Sequence, residues 1–245
     1  MEIGIYGLGR FGSFFAARLA GRCTVKAWSR DPGRPAPRGV QRVGEEELLA
    51  LPAVFLCVAI SALPEVLERI APRLAPGTLV MDTCSVKSLP VAWMQRLLPP
   101  AVDILASHPL FGPDSASGGL EGLPMILWPV RLQPAAFEQW RGFFGSLGLV
   151  VHVISPEEHD RQAAYTQGLT HYLGRVLAQM GLQPAAVSSL GYRKLLEIIE
   201  QTCNDSWQLF LDLQRFNPYT PEMRRKLDRA LEALKANLDT PGALQ

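Results

Sequence analysis

MEIGIYGLGRFG, residues 1–12, is the stretch that decides the fold. Ile3 and Ile5 lie in a short apolar run that is closed by Gly7-Leu8-Gly9-Arg10-Phe11-Gly12. FFAARLAG then follows with helical spacing. A strand that ends in G-x-G-x-x-G and opens a helix is the setting in which this motif cradles a dinucleotide. Gly7 makes the tight turn, Gly9 lets the backbone approach a pyrophosphate, and Gly12 lets helix and strand pack closely. The free amides at the helix N-terminus face the phosphates. Gly7, Leu8, Gly9, Arg10, Phe11 and Gly12 are therefore candidate cofactor contacts. The other reading is a glycine turn in an α/β protein without a dinucleotide.

Beyond the glycines, strands and helices alternate up to about residue 155. TVKAW (24–28), AVFLCVA (53–59), TLVMD (78–82), DILAS (103–107), MILWP (125–129) and LVVHVI (149–154) read as strands. They are short, rich in β-branched residues and bounded by Gly, Pro or Asp. LPEVLERIAPRL, LPVAWMQRLL and AAFEQWRGFFGSLG read as helices between them. Near-continuous apolar strands separated by helices imply a parallel sheet covered on both faces. From Ser155 the pattern changes. Ser155-Pro156-Glu157-Glu158 starts a helix expected to reach about Gly181, and Thr220-Pro221-Glu222 starts another in the same way. LLEIIEQTCNDSWQLFLDLQRF between them predicts one or two more helices. The fold class is thus α/β, a Rossmann-type doubly wound and mostly parallel sheet followed by an all-α domain. Residues 1–155 form the dinucleotide-binding part and 156–245 the helical substrate and dimerisation part.

Charge and composition narrow the function. The net charge is +1, which gives no reason to expect a nucleic-acid partner. Charges or prolines interrupt every apolar run, so no membrane span is expected. The first residues lack a signal-peptide pattern. Cys23, Cys57, Cys84 and Cys203 form no CxxC pair. Metal binding and disulfides are not expected, and a reducing cytoplasm fits.

The second strand ends at Trp28-Ser29-Arg30. An NAD-binding fold usually places an acid here for the ribose 2′-hydroxyl. Ser29 and Arg30 suit a 2′-phosphate instead, so NADP is expected in preference to NAD. A register slip of two would make Asp31 the ribose acid, and Arg30 could be only a solvated loop charge. DPGRPAPR (31–38) reads as an exposed loop.

Ligands sit beyond the carboxyl ends of strands in such sheets. Two loops qualify: Asp82-Thr83-Cys84-Ser85-Val86-Lys87, and ASHPLFGPDS (106–115). Ser85 and His108 come within plausible reach of each other there. A serine hydroxyl could fix the imidazole's tautomer and leave its other nitrogen for a substrate hydroxyl. His108 could equally be a surface-loop histidine.

GLGRFG, DTCSVK, SHPLFGPDS, HDRQAAYTQGLTHYL and VSSLGYRKLLEII follow one another in an order and at spacings that resemble the prephenate/arogenate dehydrogenase family of tyrosine biosynthesis. The resemblance covers nearly the whole chain. It implies a nucleotide-binding α/β domain and a helical domain that makes a homodimer. It also implies oxidative decarboxylation of a small cyclohexadienol, with hydride passed to NAD(P). By this likeness His108 assists deprotonation of the C4 hydroxyl and Ser85 holds His108. Arg193 grips the ring carboxylate, His171 lies near the side chain, and Asp114 stands at the mouth of the site. A planar guanidinium suits a carboxylate better than a lysine does.

His159, Ala163, Gln167 and His171 recur every four residues and form one helical stripe. Gln167 is therefore a substrate-side candidate, or else a buried interhelical bond. His159 reads more readily as part of the helix start. Arg193 could pair with Glu197, and Lys87 stays unassigned. No chorismate mutase segment is expected before the glycines and no regulatory domain after the helices, so tyrosine feedback is not expected. One alternative function is another NADP-dependent reductase of a β-hydroxy acid or imine. It would rely on a lysine of the helical domain, where Lys194 is the only one between residues 88 and 225. A non-catalytic NADP-binding regulator is the other alternative. Leu, Ile, Phe and Trp in the helical half suggest an interface.

Overall fold

The computed structural model describes residues 1–239. The chain divides into two compact units, Met1–His159 and a second that starts at Asp160.

The first unit is built on eight strands: β1 (Glu2–Tyr6), β2 (Thr24–Trp28), β3 (Val40–Arg42), β4 (Ala53–Leu56), β5 (Leu79–Asp82), β6 (Asp103–Pro109), β7 (Pro124–Arg131) and β8 (Val150–Val153). Their order across the sheet is β3-β2-β1-β4-β5-β6-β7-β8. Neighbours pair in parallel except β6 with β7, which run antiparallel. Helices α1 (Arg10–Leu19), α2 (Glu45–Leu49), α3 (Leu63–Ile70), α4 (Ser88–Leu97), α5 (Pro134–Ser146) and α6 (Pro156–Ala163) connect or follow the strands. This is the expected Rossmann-type sheet. The strand order turns back between β1 and β4, so the glycine loop after β1 opens at the switch point where such folds bind ligands.

Burial explains the strand sequences. β4 and β5 are buried at every position, as a central parallel strand requires. Phe15, Phe55 and Phe144 are completely buried and meet edge to face. Each such side chain contributes roughly 1.5–3 kcal/mol. β3 and α2 were not anticipated, and both are too short to show a period. α2 follows Gly44 and places Glu45, Glu46 and Glu47 in its first turn, where the helix dipole favours acids.

The sequence reading ends β6 at Ser107, but the strand runs on to Pro109. β7 supplies the reason, since it pairs His108 with Ile126 and Pro109 with Met125. His108 therefore stands on a strand, not in a loop.

The boundary between the units falls inside α6. The helix passes through a π turn at Ala164–Gly168 into α7 (Leu169–Gln179). A stripe of residues spaced by four drifts around a straight α-helix, and the wider π turn takes up part of that drift. Gln214 Nε2 donates to Gly168 O within this turn at 2.8 Å. Then come α8 (Leu190–Cys203), α9 (Trp207–Phe216) and α10 (Thr220–Asp239). Ser189 and Ser206 cap α8 and α9. At Gly174 a Cβ would lie 2.0 Å from Thr202 Oγ1, so this glycine lets α7 approach α8 closely. The second unit has no strand among the described residues. The end of the expected helical domain, 240–245, lies outside the described residues.

Candidate active site

The glycine loop has the steric logic of a phosphate cradle. Gly7 has φ +110, and a Cβ there would come 2.5 Å from Cys57 O. A Cβ on Gly12 would come 1.9 Å from Gly7 O. Gly9, the N-cap of α1, carries no side-chain cap, and a Cβ added there meets nothing within 4 Å. The two outer glycines are thus required by the protein itself, and the middle one borders open space. Leu8, Gly9, Arg10, Ser13, Arg34 and Pro35 line a groove of about 370 Å³ beside it. Open space at Gly9, uncapped helix amides and two arginines fit a dinucleotide's pyrophosphate.

The loop after β2 is more basic than Ser29 and Arg30 alone suggest. Asp31 turns its carboxylate into its own loop, where Oδ1 accepts from Gly33 N at 2.9 Å. Ser29 Oγ accepts from Asp31 N at 3.3 Å, and Arg30 is exposed. Arg34 donates to Leu8 O of the glycine loop at 3.1 Å. Arg42 donates to Asp31 O at 2.9 Å and to Ser29 O at 3.4 Å. Arg34 and Arg42 were missed. The arginines of the 31–38 stretch were the available signal for the first of them.

At the ends of β5 and β6 lies a buried polar frame. Lys87 Nζ forms an ion pair with Asp82 and donates to Ser107 O at 2.6 Å, with both side chains 1% exposed or less. Asp82 Oδ1 accepts from Ser107 N at 3.2 Å, and Ser107 Oγ donates to Asp82 O. Lys87 is therefore neither a ligand contact in solvent nor a loose charge on the next helix. It fixes the residue immediately before His108.

His108 is 3% exposed. Its Nδ1 lies 2.8 Å from Nε2 of His159, with the rings edge to face. The serine expected in this role is elsewhere engaged with nothing: Ser85 Oγ is buried and has no hydrogen-bond partner. Burial, then His159, then the nearby Lys87 ammonium hold the His108 pKa well below the usual histidine value. These influences all favour the neutral imidazole of His108. His159 is 2% exposed, so it is a buried partner of His108 as well as a member of the helix start.

Asp114 does not stand alone. Its Oδ2 meets Arg10 at 2.6 Å, and Arg18 donates to Ala116 O at 2.9 Å. These contacts dock the loop after β6 on α1.

In the second unit, Gln167 Oε1 and His171 Nδ1 are buried without hydrogen-bond partners. His171 Nε2 lies 4.0 Å from Asp205. Burial lowers the His171 pKa, Asp205 opposes this, and Arg175 adds to it. Arg193 is exposed and donates to Ser188 O at 3.3 Å. Among the described residues no hydrogen bond or ion pair joins Arg193 to Gln167 or His171. Nor is any group of three or more His, Cys, Asp or Glu placed to hold a metal, or any helix long and apolar enough to cross a membrane.

Comparison with known proteins bears on the family and the fold. Residues 40–153 match the family described as "Prephenate dehydrogenase, nucleotide-binding domain", and residues 176–242 match "TYRAAT1-like, C-terminal domain". The chain is 38% identical over 191 residues to "Arogenate dehydrogenase 2, chloroplastic" of Arabidopsis thaliana, covering 76% of this chain and 53% of that one. It is 31% identical over 196 residues to "Cyclohexadienyl dehydrogenase" of Zymomonas mobilis, covering 73% of this chain and 67% of the relative. It spans 53% and 39% of the two Arabidopsis arogenate dehydrogenases. The solved prephenate dehydrogenase of A. aeolicus, in complex with hydroxyphenyl propionate and NAD+, has the same fold. Its TM-score is 0.77 at 18% identity, over 97% of this chain and 90% of that one. Synechocystis arogenate dehydrogenase gives 0.70 at 22% identity, over 99% and 95%.

Proposed function

The chain belongs to the prephenate/arogenate dehydrogenase family, and from that premise we propose that it oxidatively decarboxylates prephenate, arogenate or both in tyrosine biosynthesis. The observation that carries this reading is the buried imidazole of His108, whose Nδ1 lies 2.8 Å from Nε2 of His159 and which burial disposes to stay neutral. That leaves Nε2 to receive the proton of the ring C4 hydroxyl. A bound nicotinamide supplies the acceptor for the hydride that leaves C4. As the hydroxyl becomes a carbonyl, its proton passes to His108. The bond to the ring carboxylate then breaks and carbon dioxide departs. Its electron pair runs through the ring to the new oxygen, which takes the proton back from His108, so no net proton is gained or lost.

Ser85 remains in the catalytic set. Its buried hydroxyl lacks a partner, which suits a group that bonds substrate or cofactor rather than His108. Gln167 and His171 each carry a buried orphan atom and are assigned to the substrate. Arg193 takes the ring carboxylate, and Asp114 borders the site while held by Arg10. Gly7 to Gly12 bind the pyrophosphate. Ser29 and Arg30, with Arg34 of the same loop and Arg42 at the end of β3 bonded to it, favour NADP over NAD. Exposed Met180, Val187, Leu190, Leu234 and Leu238 in the second unit support a homodimer through the helical part. The cytoplasm is the assigned compartment, on the reading of all four cysteines as thiols.

The test crosses prephenate and arogenate with NAD and NADP, following reduced-nicotinamide absorbance. Turnover with at least one pair, faster with NADP, is expected. No turnover with any pair would sink the assignment.

A further inference from the structure

We propose that His159 is the positioning residue of His108: its Nε2 accepts the Nδ1 proton of His108 and so holds His108 in the tautomer whose Nε2 is the base. The inference deepens the proposed function and rests on it for the role of Nε2. The family likeness gives the holding role to a serine, and the geometry gives it to a second imidazole.

Three observations carry it. The first is the 2.8 Å approach of His108 Nδ1 to His159 Nε2 between two buried rings. Only one proton can lie between two neutral imidazoles. If His159 accepts, His108 carries its proton on Nδ1 and its lone pair on Nε2. If His159 donates, His108 Nε2 is already protonated and cannot act as a base. The second is that both backbones are fixed independently of the rings. Ser107, just before His108, is held by Asp82 and Lys87. His159 sits in the first turns of α6, where Ser155 O accepts from His159 N at 2.9 Å and Ser155 Oγ accepts from Glu158 N at 3.3 Å. The third is that Ser85 Oγ makes no hydrogen bond, so it does not compete for Nδ1.

The charges around His108 favour its neutral form. His159 faces it from α6, Lys87 from the head of α4, and Asp82 from the end of β5 is already paired with Lys87. β7 brings the uncharged Ile126 opposite. A second cation beside Lys87 is unfavourable. The chemistry gives a reason for a histidine partner here rather than an acid. The base must accept a proton and return it within one turnover. A carboxylate on Nδ1 would stabilise the imidazolium and retain the proton. A neutral imidazole orients the ring without adding a negative charge.

Nitrogen-15 NMR of the histidine-labelled protein, without substrate, reads the tautomer directly. Wild type is expected to show His108 with its proton on Nδ1, as is Ser85→Ala. His159→Phe should lose this preference and lower kcat on the order of 100-fold, with KM changed about 2-fold or less. His159→Gln, whose amide oxygen can still accept, should restore the tautomer and most of kcat. His159→Asp should move the acid limb of kcat/KM to higher pH, because a carboxylate favours protonated His108. An Nε2–H tautomer in wild type, or a tautomer that follows Ser85 and not His159, would overturn the proposal. The spectrum needs no turnover, so a failed reaction assignment and a failed histidine pair are told apart.

Discussion

His108 in the first unit and the proposed substrate groups of the second are held in opposite ways. In the first, His108 is clamped: a strand ladder, an adjoining buried ion pair and a second histidine fix it before any ligand arrives. In the second, Gln167 and His171 each keep a buried polar atom unsatisfied, and Arg193 is exposed. A base must be at the right angle and protonation state at the moment of reaction, so its framework is completed by the protein itself. Groups that recognise a substrate can leave part of their bonding to it. An orphaned buried atom costs about 1–3 kcal/mol, which a matching ligand atom recovers.

Breaking the first unit's frame should have the largest effect. Lys87→Met leaves the Asp82 carboxylate buried and unpaired, and should destabilise the protein by about 3–5 kcal/mol. Lys87→Met combined with Asp82→Asn should recover much of that loss. Urea denaturation of both variants checks it. If the single variant is as stable as wild type, the frame is not what holds His108.

Arg193→Ala tests the other half of the contrast. Its guanidinium bonds only a nearby carbonyl among the described residues, so stability should change little. KM for the cyclohexadienol should rise about 10- to 100-fold through loss of a charged hydrogen bond. A loss of stability with KM unchanged would place Arg193 in the scaffold instead.

Acid sharpens the comparison further. The folded-state pKa of His108 is depressed, so the unfolded chain binds the proton first. The stability this neutral histidine preserves is fully present above the unfolded value of about 6.5 and is lost as pH falls below it. His108 alone should cost at most about 1.4 kcal/mol per pH unit there. His171 shifts in the same direction. His108→Asn should flatten this acid-side decline, as measured by urea midpoints across pH.

The smallest effect concerns the cofactor loop. Arg34→Ala should raise KM for NADP about 5-fold more than KM for NAD, because an exposed cation contributes modestly. Equal changes for both cofactors would reduce Arg34 to its bond with Leu8 O.

What the sequence disclosed follows the range of the interactions. The strand, glycine turn and first helix were legible because each residue's constraint lies within a few positions of it. A Cβ at Gly7 or Gly12 would even clash with backbone oxygens, as the motif requires. β3 and α2 were invisible because three and five residues show no period. His108 was read into a loop because its strand is extended by β7, which no local pattern announces. His159 and Lys87 stayed unresolved for the same reason. The partner of the first lies 51 residues away, and the carbonyl that the second holds lies 20 away. Arg10 and Asp114 were assigned to cofactor and substrate separately, yet they meet across 104 residues.

The most direct test of the central claim is turnover of His108→Asn beside wild type, with the better substrate and cofactor pair and with cofactor affinity measured on the same preparations. Loss of about 1,000-fold or more in kcat with unchanged cofactor affinity is the predicted result. Turnover within 10-fold of wild type would show that His108 is not the base.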